Sequence, residues 1–154
     1  MIFGVSLTKG AVVIAHTTGA RETFAITSIM PIVFEARSGA DLAELLQRLV
    51  DEFGRGGRSS RSVIALLGSS SGRFKAAVEA IKAEAVTELA AAQTGVPVVR
   101  VTAASLKKAV ACAPGQKWQA RAAELLNPTG AHQNWSTGAA GAAAAALKVA
   151  ADLT

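Results

Sequence analysis

The sequence is poor in reactive and metal-binding side chains. It contains a single cysteine, Cys112, which excludes an intramolecular disulfide and a cluster of thiolate metal ligands. Cys112 reads as a small buried hydrophobe near a helix end rather than as a nucleophile. Aromatic residues make up only 5% of a chain that is 51% apolar. Alanine supplies much of the difference, a composition suited to close helix packing rather than to a core of bulky rings. No charge-free apolar run reaches the ~20 residues of a membrane-spanning helix. The N-terminus lacks the charged start and continuous apolar segment of a secretory leader, so a cytoplasmic protein with no membrane role is expected. The two histidines, His16 and His132, have no acidic residue at ligand spacing. His16 reads as a surface strand residue and His132 as part of a turn.

The remaining composition is basic. Sixteen Lys and Arg against eleven Asp and Glu give a net charge of +5. That balance permits contact with phosphate backbones without requiring it. The 154 residues fit one domain, 1–154, large enough to bury a core.

Residues 2–8, 11–18 and 22–36 are rich in Val, Ile, Thr and Phe and are separated by short gaps, as in antiparallel hairpins. Pro31 places the third run at a bend or a sheet edge. SGADLAELLQRLVDEFG carries apolar residues at helical spacing, with Ser38 or Asp41 as its cap and Gly54 as its end. The glycine-rich GRGGRSSR follows, and then SVIALLG, an unbroken apolar run of the kind buried on both faces of a sheet. A long helix is predicted from Arg73 to Gln93, with Phe74, Val78, Ile81, Ala85 and Leu89 along its buried stripe. PVVRVTA is a fifth strand. Helices over 104–112 and 117–126, a turn at 127–130 and a final helix from Ser136 or Thr137 to Asp152 complete the chain.

Three stretches carry a family resemblance. GRFKAAVEAIKAEAVTELAAAQTGVPVVRVTAASLKKAVA resembles the long helix, fifth strand and following helix of the RuvC branch of the ribonuclease H-like superfamily. QKWQARAAELL is similar to the basic helix that comes next, and AAAAALKVAAD to the closing helix. SGRFK also matches the opening of the long helix in small bacterial ribonuclease H-like proteins. The resemblance implies an α/β, ribonuclease H-like, five-stranded mixed sheet, three antiparallel strands followed by two parallel ones, with helices on both faces.

It also implies where a nuclease site would lie. Enzymes of this fold hold two divalent metals about 3.5–4 Å apart, and hard cations of this kind need several carboxylate oxygens. The matching positions are the middle of the first strand, the end of the fourth and the last helix. In this sequence they are Ser6, Leu67, Gly138 and Gly141, and none of the eleven acids falls among them. No metal and no cofactor is therefore expected.

The basic residues Arg55, Arg58, Arg61, Arg73, Lys75, Lys107, Lys108 and Lys117 are the candidate nucleic-acid contacts. Arg73, Lys75, Lys107 and Lys108 are expected near the C-terminal rim of the central strands. Trp118 and Trp135 are either core anchors or stacking platforms for bases. Ser69-Ser70-Ser71-Gly72 either caps the long helix or offers backbone N–H groups to an anion. Three readings follow. The first is a catalytically inactive ribonuclease H/RuvC-like protein that binds structured or branched DNA or RNA, or a complex that processes it, through a basic rim. The second is a structural or interaction module, a homodimer joined by the small-residue face Ala76, Ala77, Ala80 and Ala83 or by the tail. The third is a hydrolase with an unrecognised site.

Overall fold

Alternation along the first strand decides the architecture. In a computed structural model, which describes residues 1–56, 61–69 and 77–153, Phe3 and Val5 of strand β1 (Ile2–Leu7) point to one face of a sheet. Ile2, Gly4 and Ser6 point to the other. Strand β2 (Ala11–Thr18) pairs antiparallel with β1, and β3 (Ala25–Val33) antiparallel with β2. Strands β4 (Val63–Leu67) and β5 (Val98–Val101) add parallel to the other side of β1. The order is β3-β2-β1-β4-β5, so the expected mixed sheet of three antiparallel and two parallel strands is present. Pro31 lies on β3, an edge strand as expected.

Helices α1 (Gly39–Gly56) and α2 (Val78–Thr94) cover the first face. Leu45, Leu49 and Phe53 of α1 pack with Phe3, Ile14, Ile64 and Leu66 into the bulkier of the two cores. Both predicted caps of α1 are used. The Ser38 hydroxyl accepts from the Asp41 N–H at 3.2 Å, and the Asp41 carboxylate accepts from the Arg37 and Ser38 N–H groups. Two long cations stitch the loop before α1 and the end of β3 to this layer: Arg48 donates to the Val33 carbonyl and Lys82 to that of Ala36.

Helices α3 (Ala103–Ala109), α4 (Trp118–Leu126) and α5 (Thr137–Asp152) cover the second face. Its core is rich in alanine, with Leu106, Val110, Leu147 and Val149 among the larger members. Nearly the whole length of α5 is buried, from Gly138 to Leu147. Gly4 of β1 sits so close to α5 that a Cβ there would enter the Ala142 carbonyl and stand 3.0 Å from the Ala146 Cβ. Alanine suits such a contact because ordering its side chain costs no rotamer entropy. The helix gains from close approach what it lacks in buried area per residue.

Several sequence expectations are corrected. Residues Arg21–Thr23 form a 3-10 turn rather than the start of the third strand. Gly19 adopts a positive φ of 86° and the Thr23 hydroxyl accepts from the Ala20 N–H, which turns the chain before β3 can begin. Helix α2 starts at Val78, and Arg73, its expected first residue, lies outside the described residues. Ala77 is extended, with ψ of 141°, and no serine occupies the cap position. The buried stripe of α2 is Ala80, Ala83, Thr87, Ala90 and Ala91, whereas Val78, Ile81 and Leu89 are 61%, 52% and 48% exposed. The small residues face inward because α1 crosses close to them and supplies the bulk from its own leucines and Phe53. Phe74 lies outside the described residues. His16 is not a surface residue. Its Nε2 lies 2.6 Å from the Glu52 carboxylate, its Nδ1 3.0 Å from the Ser28 hydroxyl, and its ring meets Phe3 edge-on.

The Gly4 contact yields a direct test. Gly4→Ala places a methyl group inside a backbone carbonyl, so α5 must shift, at an expected cost of about 3 kcal/mol or more. Gly10→Ala meets nothing within 4 Å and is expected to stay within about 0.5 kcal/mol of the parent. Urea denaturation of the two variants measures the difference.

Candidate functional site

Ligand crevices in open α/β sheets lie beyond the carboxyl ends of the strands, and the chain has a cleft there. It encloses about 630 Å³ between Ser6 and Leu7 of β1, Leu67 to Ser69 after β4, Arg100 and Thr102 at the end of β5, and Trp118 of α4. Trp118 is half-buried against the second core and forms a wall of the cleft, so it combines the two roles the sequence left open. Trp135 packs against the α5 core.

Three of the four positions expected for metal ligands meet at this end. A Cβ on Gly141 would lie 2.8 Å from the Ser6 hydroxyl oxygen and 3.0 Å from a Leu67 methyl carbon. Gly138 does not join them. It faces Val13 and Thr8 on the β1–β2 hairpin, with a Cβ position 2.7 Å from a Val13 methyl group. The residues present do not fit a divalent metal pair. A neutral hydroxyl, an isobutyl group and two bare backbone positions offer no anionic oxygen, and the space a longer side chain would need at position 141 is filled. Among the described residues, no three or more His, Cys, Asp or Glu side chains are grouped to hold a metal.

One carboxylate does reach the cleft, and sequence reasoning missed it. Glu84 projects from α2 over the end of β4. It accepts from the Ser69 hydroxyl at 2.5 Å and from the Ser69 N–H, and pairs with the Arg100 guanidinium at 2.5 Å. Arg100 also pairs with Glu88, one helical turn further on. Partial burial alone would push the Glu84 carboxyl up, but the Ser69 and Arg100 hydrogen bonds together hold it below the usual carboxylate value of 4.5. Arg100 is raised further by its bonds to Glu84 and Glu88. Ser69 is therefore a partner of Glu84 rather than a cap of α2. The available signal was the Glu84/Glu88 spacing of four on a helix, followed by a lone arginine in the next strand.

Within this network one guanidinium faces two carboxylates, so the three side chains together carry one net negative charge and add no positive field for a phosphate. The candidate cations are distributed differently from the sequence expectation. Lys117 is exposed and immediately precedes Trp118, a wall of the cleft, without itself lining it. Arg55 ends α1, and Arg61 precedes β4. Both lie at the opposite end of the sheet, where Ile2 pairs with Val63. Lys108 is also placed differently. Helix α3 descends from the end of β5, so that Lys108 lines a groove with Arg21 and the last turns of α5, far from the rim. Arg58, Arg73 and Lys75 lie outside the described residues.

The strand order, the pairing directions and the helices on both faces define the ribonuclease H-like fold. Comparison with solved structures gives the nearer likeness. The chain is similar to RuvC of Thermus thermophilus, with a TM-score of 0.72 at 15% identity over 96% of this chain and 91% of that one. A second structure, of T. thermophilus RuvC in complex with a Holliday junction substrate, matches with a TM-score of 0.71 at 15% identity, covering 96% of this chain and 90% of that chain. No family model and no curated protein matches the sequence. The fold is thus that of RuvC.

The Glu84 network predicts a pH dependence. A carboxyl held low in the folded state stabilises above its unfolded value and loses that contribution as pH falls through the folded value. Because Arg100 is half exposed, the contribution is about 1 kcal/mol at most. Glu84→Gln is expected to lower stability by that amount near pH 7. The gap from the parent should close as the pH is lowered below about 4.5, as read by denaturant unfolding across the pH range.

Proposed function

We propose that the chain is a catalytically inactive ribonuclease H/RuvC-like protein that binds nucleic acid. The observation that carries the reading is the meeting of Ser6, Leu67 and Gly141 where a metal-dependent nuclease would need acids. Phosphodiester hydrolysis by two metals requires a cage that stabilises both the attacking and the leaving oxygen. Here the hydroxyl, the methyl groups and the helix backbone occupy that volume. The nucleic-acid half of the reading draws on two supports. A protein of the same fold was solved on a Holliday junction, and the net charge of +5 favours a polyanion.

Within this reading, the Trp118 ring offers a stacking surface at the cleft and Lys117 beside it a phosphate contact. Arg55, Arg61, Lys107 and Lys108 serve only a polymer that extends past the far end of the sheet. Arg58, Arg73 and Lys75 remain candidate contacts from the sequence. The decisive experiment titrates the protein against a fluorescent four-way junction, a duplex and a single strand at two salt concentrations, with and without manganese. Binding that falls steeply with salt, without cleavage, is expected. Lys117→Gln should reduce the salt slope by about one. Cleavage would overturn the inactive assignment, and absence of binding at low salt would overturn the nucleic-acid assignment.

One observation favours the second reading, a homodimeric interaction module. The face proposed from the sequence is not free, since Ala80 and Ala83 are buried against the core. Instead, Val78, Ile81, Ala85 and Leu89 form an exposed apolar stripe on α2. A stripe of this spacing pairs readily with a copy of itself. Sedimentation equilibrium should then show a dimer that Ile81→Glu converts to monomer with the fold intact by circular dichroism. A parent chain that sediments as a monomer removes this reading.

A further inference from the structure

A second concavity lies at the end of the sheet opposite the cleft. It encloses about 530 Å³ and is lined by Arg21, Ser105, Lys108, Ala109, Leu147 and Lys148. Its three cations come from three separate elements: the 3-10 turn after β2, the last turn of α3, and α5. Arg21 and Lys108 have no ionic partner among the described residues. Lys148 pairs with Asp152 at 2.8 Å, which uses one of its three ammonium donors. Among the described residues, Asp152 is the one carboxylate that forms an ion pair with any of these three cations.

The arrangement is fixed by the backbone. Arg21 sits on a turn closed by Gly19 and by the Thr23 hydroxyl bond to the Ala20 N–H. The α3 carbonyls near Lys108 do not compete for the cations as free acceptors. Leu106, Lys107 and Lys108 accept from the Val110, Cys112 and Ala111 N–H groups. Between the cations the floor is apolar, formed by the nearly buried Leu147 and by Ala109. A wall of low polarity on one side strengthens the field of the charges above it.

We propose that this groove binds a small organic phosphate ester. The phosphate would sit between Arg21 and Lys108, with the spare donors of Lys148 beside it, and the organic body would cover Leu147 and Ala109. Three cations arriving from different directions suit a dianion with three terminal oxygens better than a planar carboxylate, which a single arginine already satisfies. The volume falls within the range of small-molecule sites, roughly 300–1,000 Å³. An inorganic phosphate would leave most of it, and the apolar floor, in contact with water. The groove shares Lys108 with the candidate nucleic-acid contacts but lies at the far end of the sheet from Trp118, so binding there and binding at the cleft are tested separately.

The test titrates the full chain with phenyl phosphate and with inorganic phosphate, following backbone amide shifts by NMR and heat by calorimetry. Saturable binding of phenyl phosphate is expected, at least about tenfold tighter than that of inorganic phosphate, with shifts centred on Arg21, Lys108 and Leu147. Arg21→Gln and Lys108→Gln, both at exposed positions, should each weaken it about tenfold. Lys117→Gln should leave it unchanged whether or not that variant affects nucleic-acid binding. Absence of saturation at millimolar ligand, equal affinity for the two phosphates, or indifference to both variants overturns the proposal. A DNA duplex that displaces phenyl phosphate, and whose own affinity falls in Arg21→Gln, assigns the groove to a polymer backbone and overturns it as well.

Discussion

The close approach of α5 to the sheet governs most of what this molecule can do. Gly4 and Ser6 on β1, Ala15 on β2 and Ala65 on β4 present a shallow surface, and Gly138 through Ala146 lie against it. Dispersion contacts depend steeply on distance, so small residues on both sides can hold a helix as firmly as a few large ones. The consequence is intolerance. A core packed through backbone atoms has no side-chain ends to move aside, and an added methyl group at Gly4 displaces the whole helix. The opposite face works by the usual means, with Phe3, Phe53 and the leucines of α1 interlocking. The two halves of the domain are therefore stabilised in different ways by the two faces of one strand.

Charge follows the same division of the molecule into ends. At the carboxyl end of the strands, Arg100 is held between Glu84 and Glu88, and the guanidinium is spent inside the protein. At the amino end, Arg21, Arg61 and Lys108 have no acidic partner among the described residues. A net charge of +5 taken alone suggests a basic rim around the cleft. Among the described residues, the cations free of an acidic partner include these three at the far end, while the one arginine lining the cleft is paired with two carboxylates. Electrostatic attraction of an anion depends on this local arrangement more than on the total.

Much of the fold was legible in the sequence because it rests on local signals. The Val-, Ile-, Thr- and Phe-rich runs of β1 and β2, the Ser38/Asp41 cap, the Ser136 cap and the unbroken apolar run of β4 each specify an element without help from elsewhere. Pro31 marked an edge strand for the same reason. The buried face of α2 was misread because the pattern weighed residues by size. Val78, Ile81 and Leu89 are larger than Ala80, Ala83 and Ala90, yet tertiary packing against α1 selected the smaller set. Lys108 departs from the expected rim for a related reason: it follows β5 closely in sequence, but a helix of seven residues is enough to carry it towards the other end of the sheet. The Glu84–Arg100–Glu88 network joins a helix to the strand after it, and no short-range pattern specifies which helix face meets that strand.

The absent acids and the tight α5 packing are best understood as one property. Two or more carboxylates converging in a cleft repel one another and lose hydration, at a cost of several kcal/mol unless a cation compensates them. A metal-dependent nuclease meets that cost by binding its ions. Without acids at these positions that cost does not arise, and small residues let the helix lie against the strand. Ser6 and Gly141 show the arrangement, since the Ser6 hydroxyl fills the space a side chain at position 141 would need. Restoring a single carboxylate would therefore bury an unpaired charge in a filled volume rather than rebuild half of a site. On this reasoning, acids at these positions would require the helix to withdraw from the sheet, so the contacts that stabilise the domain and a cage of carboxylates at its cleft exclude one another.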